Sequence, residues 1–116
     1  MALRPTVASP GEIIIHKDDL AREMYLVCHG EVEVLDDGGH VRTIREGGFF
    51  GEIGVLLSML RTATVRAKTL CNLFVLDKRE LRRILREQPQ FAERIRNVAN
   101  ERYHLTLKNE QLMGTH

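Results

Sequence analysis

The chain has 116 residues, which is enough for one compact domain with a modest hydrophobic core. Its 43% hydrophobic and 28% charged residues are typical of a globular domain and not of a disordered tail. The 17 basic and 16 acidic residues leave a formal net charge of +1, which argues against the broad basic face of a nucleic-acid-binding protein.

Neither secretion nor membrane insertion is indicated. The sequence has no run of about 18 apolar residues and no signal peptide before its first polar stretch. Cys28 and Cys71 stand far apart in apolar, strand-like segments, which predicts two buried, reduced thiols and a cytoplasmic location. Because Met1 leads almost directly into strand-like sequence, we interpret the chain as a piece of a longer protein.

The first three-quarters of the chain predicts short strands separated by turns. Residues 31–35 and 40–44 alternate polar and apolar side chains, which is the period of a half-buried strand. Between them, Asp37, Gly38 and Gly39 predict a hairpin turn, since glycine adopts positive φ without strain. We therefore predict a mainly β fold, an antiparallel, jelly-roll-like β-roll over about residues 3–76. The other predicted strands cover residues 12–16, 24–28, 62–68 and 70–76.

The last third of the chain changes to helical periodicity. Asp77 and Glu80 form a capping-box pattern, and Pro89 ends the apolar run that follows. We expect two C-terminal helices, over about residues 77–88 and 91–113, within a single domain covering residues 1–116. The second helix should bury Phe91, Ile95, Val98, Ala99 and Leu105. The basic run of the first helix should face solvent; its members are Lys78, Arg79, Arg82, Arg83 and Arg86.

The stretch from Phe49 to Leu57, followed by Arg61, carries the residues best suited to bind a ligand. Gly51 permits a sharp turn and a close approach to the backbone, and a short helix after it would direct its first amides at an anion. Arg61 offers a planar fork to phosphate oxygens, whereas the Glu52 carboxylate only accepts hydrogen bonds and suits a sugar hydroxyl. This combination predicts a nucleotide with a compact phosphate and a free ribose 2′-hydroxyl.

This stretch resembles the phosphate-binding cassette of cyclic nucleotide-binding domains. The resemblance covers roughly residues 3 to 110, and Arg22-Glu23-Met24-Tyr25 and the threonine after Arg61 are most similar to cyclic-nucleotide-gated and hyperpolarisation-activated channels. The matching motifs are Phe50-Gly51-Glu52-Ile53, Leu56-Leu57 and Arg61-Thr62-Ala63-Thr64-Val65, preceded in the family's order by Pro10-Gly11-Glu12 and Gly30-Glu31-Val32-Glu33-Val34.

The resemblance implies a regulatory module that binds cAMP or cGMP and is not an enzyme. It implies that Arg61 pairs with the cyclic phosphate, that Glu52 accepts from the ribose 2′-hydroxyl, and that Thr62 bonds the phosphate and the amino group of a guanine. The last helix would cover the base as a lid. The residues implied to bind the ligand are Gly51, Glu52, Ile53, Arg61, Thr62, Ala63, Arg102 and Thr106.

Some of these residues also have ordinary structural interpretations. Arg102 lies on the otherwise apolar face of the last helix. This position fits an arginine that extends its charged end to solvent as well as it fits a contact between the lid and the nucleotide. Thr62 is equally consistent with a simple preference for β structure. Two positions depart from the family: Leu60 replaces a common proline or arginine, and Asp18 replaces a turn glycine, where we expect it to adopt a left-handed conformation.

Three functions compete at this point. The resemblance to channels implies the cytosolic sensor of an oligomeric membrane channel, which would gate a cation pore through its C-terminal helix. The same sensor also occurs in kinase regulatory subunits and transcription regulators. A metal-dependent β-roll enzyme would need clustered histidines, such as His-x-His with a downstream glutamate, and the sequence has no such cluster. We therefore expect no catalytic residue, no metal, no cofactor and no nucleic-acid partner.

Overall fold

The structure is a computed structural model that describes residues 4–103 and 106–114, with only the backbone of Arg102, Tyr103 and Asn109. The strands are β1 (Arg4–Ala8), β2 (Ile13–Ile15), β3 (Glu23–His29), β4 (Val32–Leu35), β5 (Val41–Ile44), β6 (Phe49–Phe50), β7 (Thr64–Ala67) and β8 (Cys71–Asp77). The helices are α1 (Glu52–Leu57), α2 (Lys78–Glu87), α3 (Pro89–Tyr103) and α4 (Asn109–Met113).

The strands form two four-stranded antiparallel sheets. Their orders are β1-β8-β3-β6 and β2-β7-β4-β5, so every pair of neighbouring strands except the β4–β5 hairpin is distant in sequence. Both sheets contribute side chains to one apolar cluster, which packs them together; Val27 and Leu73 come from one sheet, and Val32 and Val65 from the other. The predicted antiparallel β-roll is confirmed.

The turn of the β4–β5 hairpin fixes the register in which its two strands pair. Its turn is held by Asp36, whose Oδ1 accepts hydrogen bonds from the amides of Gly38 at 2.9 Å and His40 at 3.0 Å. Gly39 has φ +77°, a conformation that costs other residues strain. This turn sets Leu35 opposite Val41 and fixes every later pair of the hairpin.

A second apolar cluster lies between the helices and the sheet that contains β3 and β8. Met24 and Leu76 reach it from the strands, and α1 contributes Ile53, Val55 and Leu56. The helices supply fully buried side chains to the same cluster, among them Leu81, Leu85, Ile95 and Leu112. The short helix α1 is therefore fixed from behind by the helical layer.

The capping box at the start of α2 is confirmed. The Asp77 side chain accepts from the Glu80 amide at 2.8 Å, and the Glu80 carboxylate accepts from the Asp77 amide at 2.9 Å. Together these bonds satisfy two amides that the helix end and the strand end would otherwise leave without partners. The chain turns from β8 into α2 with no intervening loop.

The prediction of one helix over residues 91–113 is wrong. Helix α3 already begins at Pro89, where proline fits because the first helical amide needs no partner, and it ends at Tyr103. Residues 106–108 are not helical, and α4 follows, so in the described part of the chain three helices and not two come after β8. The break lets Leu107 and Leu112 bury their side chains in the cluster of α1 and α2. Phe91, Ile95, Val98 and Ala99 pack as predicted, and Leu105 lies outside the described residues.

Two further predictions need correction. Cys71 is buried as expected, but Cys28 is exposed, because the β3–β8 pairing shifts register between Val27 and His29. Neither cysteine is in a disulfide. The basic run of α2 does not simply face solvent, since Arg86 donates a 2.7 Å hydrogen bond to the Met113 carbonyl at the end of α4.

Candidate functional site

A cavity of about 300 Å³ lies between the start of α1 and the sheet β2-β7-β4-β5. Its volume falls within the range of about 300–1,000 Å³ that small-molecule sites usually have. The structure places six of the eight predicted ligand-binding residues on its wall: Gly51, Glu52, Ile53, Arg61, Thr62 and Ala63.

Gly51 forms the junction between β6 and α1, with φ +85°. A Cβ atom at this position would lie 2.9 Å from Arg61 Nη1 and 3.2 Å from the Glu23 carbonyl oxygen. The backbone conformation and the lack of space therefore both require glycine. Because Gly51 has no side chain, the first amides of α1 receive no side-chain cap from this residue.

Glu52 occupies the first turn of α1 with its side chain directed inward. It is 3% exposed, and among the described residues it is the only charged residue in the buried class. A buried carboxylate is costly unless a positive charge or hydrogen-bond donors compensate it. Arg61 is such a charge: burial lowers the pKa of Arg61, and the nearby Glu52 carboxylate opposes this shift. The pair places one anion and one cation on the same wall.

The Arg61 guanidinium bridges two backbone segments. Its Nη1 donates to the Gly51 carbonyl oxygen at 2.8 Å, and its Nη2 donates to the Glu23 carbonyl oxygen. Burial lowers the pKa of Arg61, and this effect is opposed by Tyr25 and Glu52, which raise it. An arginine side chain nevertheless stays protonated in proteins, so the cavity wall carries a fixed positive charge.

The backbone of Arg61 is held by the loop between β2 and β3. The Asp18 amide donates to the Arg61 carbonyl at 2.9 Å, and the Arg61 amide donates to the Asp19 carbonyl at 2.7 Å. Asp18 has φ +75°, as expected for an aspartate at a turn position where the family usually has glycine. Leu20 and Leu60 form an isolated antiparallel bridge beside these bonds. The departures at Asp18 and Leu60 therefore do not prevent Arg61 from reaching the cavity.

The remaining predicted residues differ in their placement. The Thr62 side chain is exposed at the cavity wall, whereas the Thr64 hydroxyl, two residues on, accepts from the Lys17 amide and is structural. Thr106 is not on this wall; it is exposed and lines a separate groove beside Arg96. The side chain of Arg102 lies outside the described residues.

Sequence reasoning missed the sheet side of the cavity. Ile15, Val34, Arg42 and Val65 line it from four different strands. Their inward position could be read in part from the period-2 alternation around Val34 and Arg42. Which strands are neighbours is a non-local property, and so the set as a whole could not be assembled from the sequence.

The described part of the chain contains neither a metal-binding cluster nor a membrane-spanning helix. Within residues 4–103 and 106–114, no group of three or more His, Cys, Asp or Glu side chains is placed to hold a metal ion. In the same residues, no helix is both long and apolar enough to cross a membrane.

Comparison with known proteins identifies the family. The family model described as "Cyclic nucleotide-binding domain" matches residues 5–88, which include the cavity wall from Gly51 to Ala63. The chain belongs to the cyclic nucleotide-binding domain family. The match confirms the resemblance that the cassette motif of this cyclic nucleotide-binding domain indicated.

Similar curated proteins are channels. The domain is 37% identical over 100 residues to the potassium/sodium hyperpolarization-activated cyclic nucleotide-gated channel 4 of Homo sapiens, covering 86% of this chain and 8% of the channel. It is 32% identical over 111 residues to channel 3 of Mus musculus, covering 96% of this chain and 14% of the channel. The chain therefore spans only a small part of these relatives.

Similar solved structures come from other kinds of protein. The catabolite activator protein of Thermus thermophilus superposes with a TM-score of 0.75 at 25% identity, covering 88% of this chain and 50% of that chain. A mutant of the cAMP-binding acyltransferase from Mycobacterium smegmatis gives a TM-score of 0.74 at 32% identity, covering 88% and 33%. The fold therefore also occurs in an activator protein and in a cAMP-binding acyltransferase.

Proposed function

We propose that this domain is a non-catalytic sensor that binds cAMP or cGMP in the cavity beside α1. The observation that carries the proposal is that a buried carboxylate, Glu52, and a charged guanidinium, Arg61, share one cavity wall with the glycine that opens α1. In the bound state, Arg61 pairs with the cyclic phosphate and Glu52 accepts from the ribose 2′-hydroxyl. The amides of Gly51, Glu52 and Ile53 complete the phosphate site, with Thr62 and Ala63 beside Arg61.

The charges of the wall support this arrangement. A cyclic phosphate carries one negative charge, which the Arg61 guanidinium matches with two parallel donors. Glu52 would repel a phosphate but accepts a hydrogen bond from a hydroxyl, so its burial favours the sugar as its partner. The lining behind these groups includes Val34 and Val65, which suit the apolar faces of a purine.

Calorimetric titration of the chain tests this function. We expect cGMP or cAMP to release or absorb heat with one site per chain, and 5′-GMP to bind more weakly. The phosphate of the linear nucleotide is larger and more highly charged than the cyclic phosphate. The compact wall around Gly51 has no additional cation to neutralise that extra charge. Absence of binding by both cyclic nucleotides at millimolar concentration would contradict the proposal.

The parent of this domain is proposed to be a cation channel. The support is the 32–37% identity to hyperpolarization-activated channels over most of this chain. On this proposal the domain is the cytosolic sensor of an oligomeric membrane protein, and nucleotide binding gates the pore. A transcription regulator or kinase regulatory subunit is the alternative, and the catabolite activator protein shares the fold.

The C-terminal helices are proposed to carry the signal. Leu107 and Leu112 share an apolar cluster with Ile53 and Val55 of α1. A shift of α1 on binding would therefore change the packing of α4 directly. A lid contact from Arg102 or Thr106 would additionally require the segment after α3 to move, since Thr106 faces a separate groove. A ligand shifts such an equilibrium only through different affinity for the two arrangements.

Hydrogen exchange tests this route. Saturating cyclic nucleotide should change amide exchange over residues 98–113 as well as over residues 51–63. Protection confined to residues 51–63 would contradict the coupling to the C-terminal helices while leaving the binding site in place.

A further inference from the structure

The C-terminal end of α4 lies on two arginines of α2. The Arg86 Nη1 atom donates a 2.7 Å hydrogen bond to the Met113 carbonyl oxygen. One helical turn earlier, Arg82 Nη2 donates to the Gln111 carbonyl oxygen at a longer distance of 3.5 Å. The last carbonyls of a helix have no amide partners within it, so these side chains supply donors that α4 lacks. Arg82 and Arg86 thus form a clamp on α4.

Gly114 brings the end of α4 close to this clamp. It follows α4 with φ +75°, and a Cβ atom there would lie 3.3 Å from both Cδ and Nη1 of Arg82. A side chain at this position would therefore strain the backbone and press on Arg82. Helix α4 has only five residues, too few to be stable alone, so its position depends on such contacts and on the burial of Leu112.

The docked position of α4 is unfavourable for Arg82. The Nε atom of Arg82 is buried and has no hydrogen-bond partner among the residues that the structure describes. A buried donor without an acceptor opposes the arrangement that buries it. Arg82 and Arg86 are also four residues apart on one helix, where like charges repel each other. Docking of α4 is therefore favourable at Met113 and Leu112, but its release would relieve the unpaired donor at Arg82.

While α4 is docked, the segment that follows α3 lies away from the cavity. No described residue after Val65 lines the cavity, and Thr106 faces the separate groove beside Arg96. Leu107 is buried in the apolar cluster to which α1, α2 and α4 contribute. The same short segment cannot lie in this cluster and over a bound nucleotide at once. A lid contact with the nucleotide therefore requires the clamp to open.

We propose that the clamp of Arg82 and Arg86 is an autoinhibitory contact, which holds the C-terminal segment away from the nucleotide site. This role rests on the proposed binding of a cyclic nucleotide beneath a C-terminal lid. A ligand that contacts the released segment binds the open arrangement more tightly than the clamped one. Its apparent affinity is then lowered by the fraction of molecules that are clamped. Weakening the clamp should therefore raise the affinity for the nucleotide.

A purely supporting role of the clamp leads to the opposite expectation. Leu107 and Leu112 pack in the same cluster as Ile53 and Val55, so docking of α4 would then hold α1 in the shape that the ligand needs. A weakened clamp would loosen α1 and lower the affinity for the nucleotide. The sign of the change in affinity therefore distinguishes the two roles.

The test weakens the clamp in two chemically different ways. Arg86→Met removes the 2.7 Å bond to α4 but keeps a long apolar side chain. Gly114→Ala disturbs the contact with Arg82 without changing any charge. The matched control is Arg83→Met, which removes an exposed arginine of the same helix that bonds Glu87 and not α4.

Two quantities are measured for the wild type and each variant. Calorimetric titration with cGMP and with cAMP gives the dissociation constants. Amide exchange of residues 110–113 without nucleotide reports how firmly α4 is docked, independently of any ligand. Thermal unfolding verifies that each variant is folded.

We expect Arg86→Met and Gly114→Ala to speed exchange over residues 110–113 about threefold and to tighten both nucleotides about threefold. This is the order of magnitude that one partly exposed hydrogen bond contributes. Arg83→Met should match the wild type in both measurements. Faster exchange with unchanged or weaker binding would overturn the autoinhibitory role, and so would unchanged exchange in both clamp variants. Either result would leave the proposed function intact, whereas a wild type that binds neither nucleotide would overturn both.

Discussion

The Arg61 guanidinium donates a 2.8 Å hydrogen bond to the carbonyl oxygen of Gly51, ten residues earlier in the chain. The same side chain donates to the Glu23 carbonyl oxygen at the start of β3. Arg61 therefore joins the entrance of α1 to the sheet while lining the cavity. A phosphate that binds Arg61 uses donors of the same guanidinium, so ligand binding is coupled to the position of Gly51.

Replacing Arg61 should affect binding and stability together. Arg61→Ala removes one partner of a charge pair, which costs about 2–5 kcal/mol, so the dissociation constant for cyclic nucleotide should rise about thirtyfold or more. It also leaves two partly buried carbonyls without their donor, which should lower the free energy of unfolding by about 1–3 kcal/mol. Calorimetry measures the first effect and urea denaturation the second.

Arg61→Lys separates the two contributions. It keeps the charge but cannot bond both carbonyls and a phosphate in the planar geometry of a guanidinium. We expect intermediate affinity and a partial loss of stability. Unchanged affinity in Arg61→Ala would remove this residue from the binding site.

Gly51 and Gly39 form a matched pair of glycines for testing the close approach at the cavity. Both have positive φ, +85° and +77°, but a Cβ atom on Gly39 would meet no atom within 4 Å. Each change to alanine should cost about 1–2 kcal/mol of backbone strain. Only Gly51→Ala should also push Arg61 aside and lose nucleotide affinity. Equal affinity in the two variants would show that the space at Gly51 has no part in binding.

The contact of Glu52 with the ribose is tested with a modified ligand. Glu52→Gln replaces a charged acceptor by a neutral one, which should cost about 1 kcal/mol, or roughly fivefold in affinity. In the wild type, 2′-deoxy cyclic nucleotide should bind more weakly than its parent. In Glu52→Gln this difference should shrink, because the bond has already been weakened. Losses that add in full would show that Glu52 does not touch the 2′-hydroxyl.

The docking of α4 is tested by comparing two leucines. Leu112 is fully buried between α4 and the helices it packs on, whereas Leu70 is 57% exposed. Leu112→Ala should lower the free energy of unfolding by at least about 2 kcal/mol, as core leucine truncations do. Leu70→Ala should change it little. Similar small effects in chemical denaturation would mean that α4 contributes nothing to the folded core.

Local sequence was sufficient for the cassette but not for its surroundings. Gly51, Glu52 and Arg61 lie within eleven residues, and their geometry follows from a glycine turn, a short helix and an arginine at the end of the loop. The capping box of Asp77 and Glu80 was equally local, and so it was predicted correctly. Such features depend on neighbours in sequence.

The errors arose where distant segments decide the outcome. Residues 91–113 have helical periodicity throughout, yet burial of Leu107 and Leu112 against α1 and α2 interrupts the helix. Cys28 belongs to an apolar segment, but a register shift opposite β8 leaves it exposed. The place of Arg42 in the cavity depends on the order of four strands, which no local pattern specifies.

The most direct test of nucleotide binding at this cavity is an amide chemical-shift titration of the isotope-labelled chain with cGMP. Binding there predicts the largest shifts at Gly51, Glu52 and Ile53 and at Arg61 to Ala63, since these residues line the cavity where the phosphate is proposed to bind. Leu70, an exposed residue that does not line the cavity, serves as the internal control and should not shift. Saturable binding that moves Leu70 or the groove at Thr106 but leaves residues 51–53 and 61–63 unchanged would contradict the proposed site.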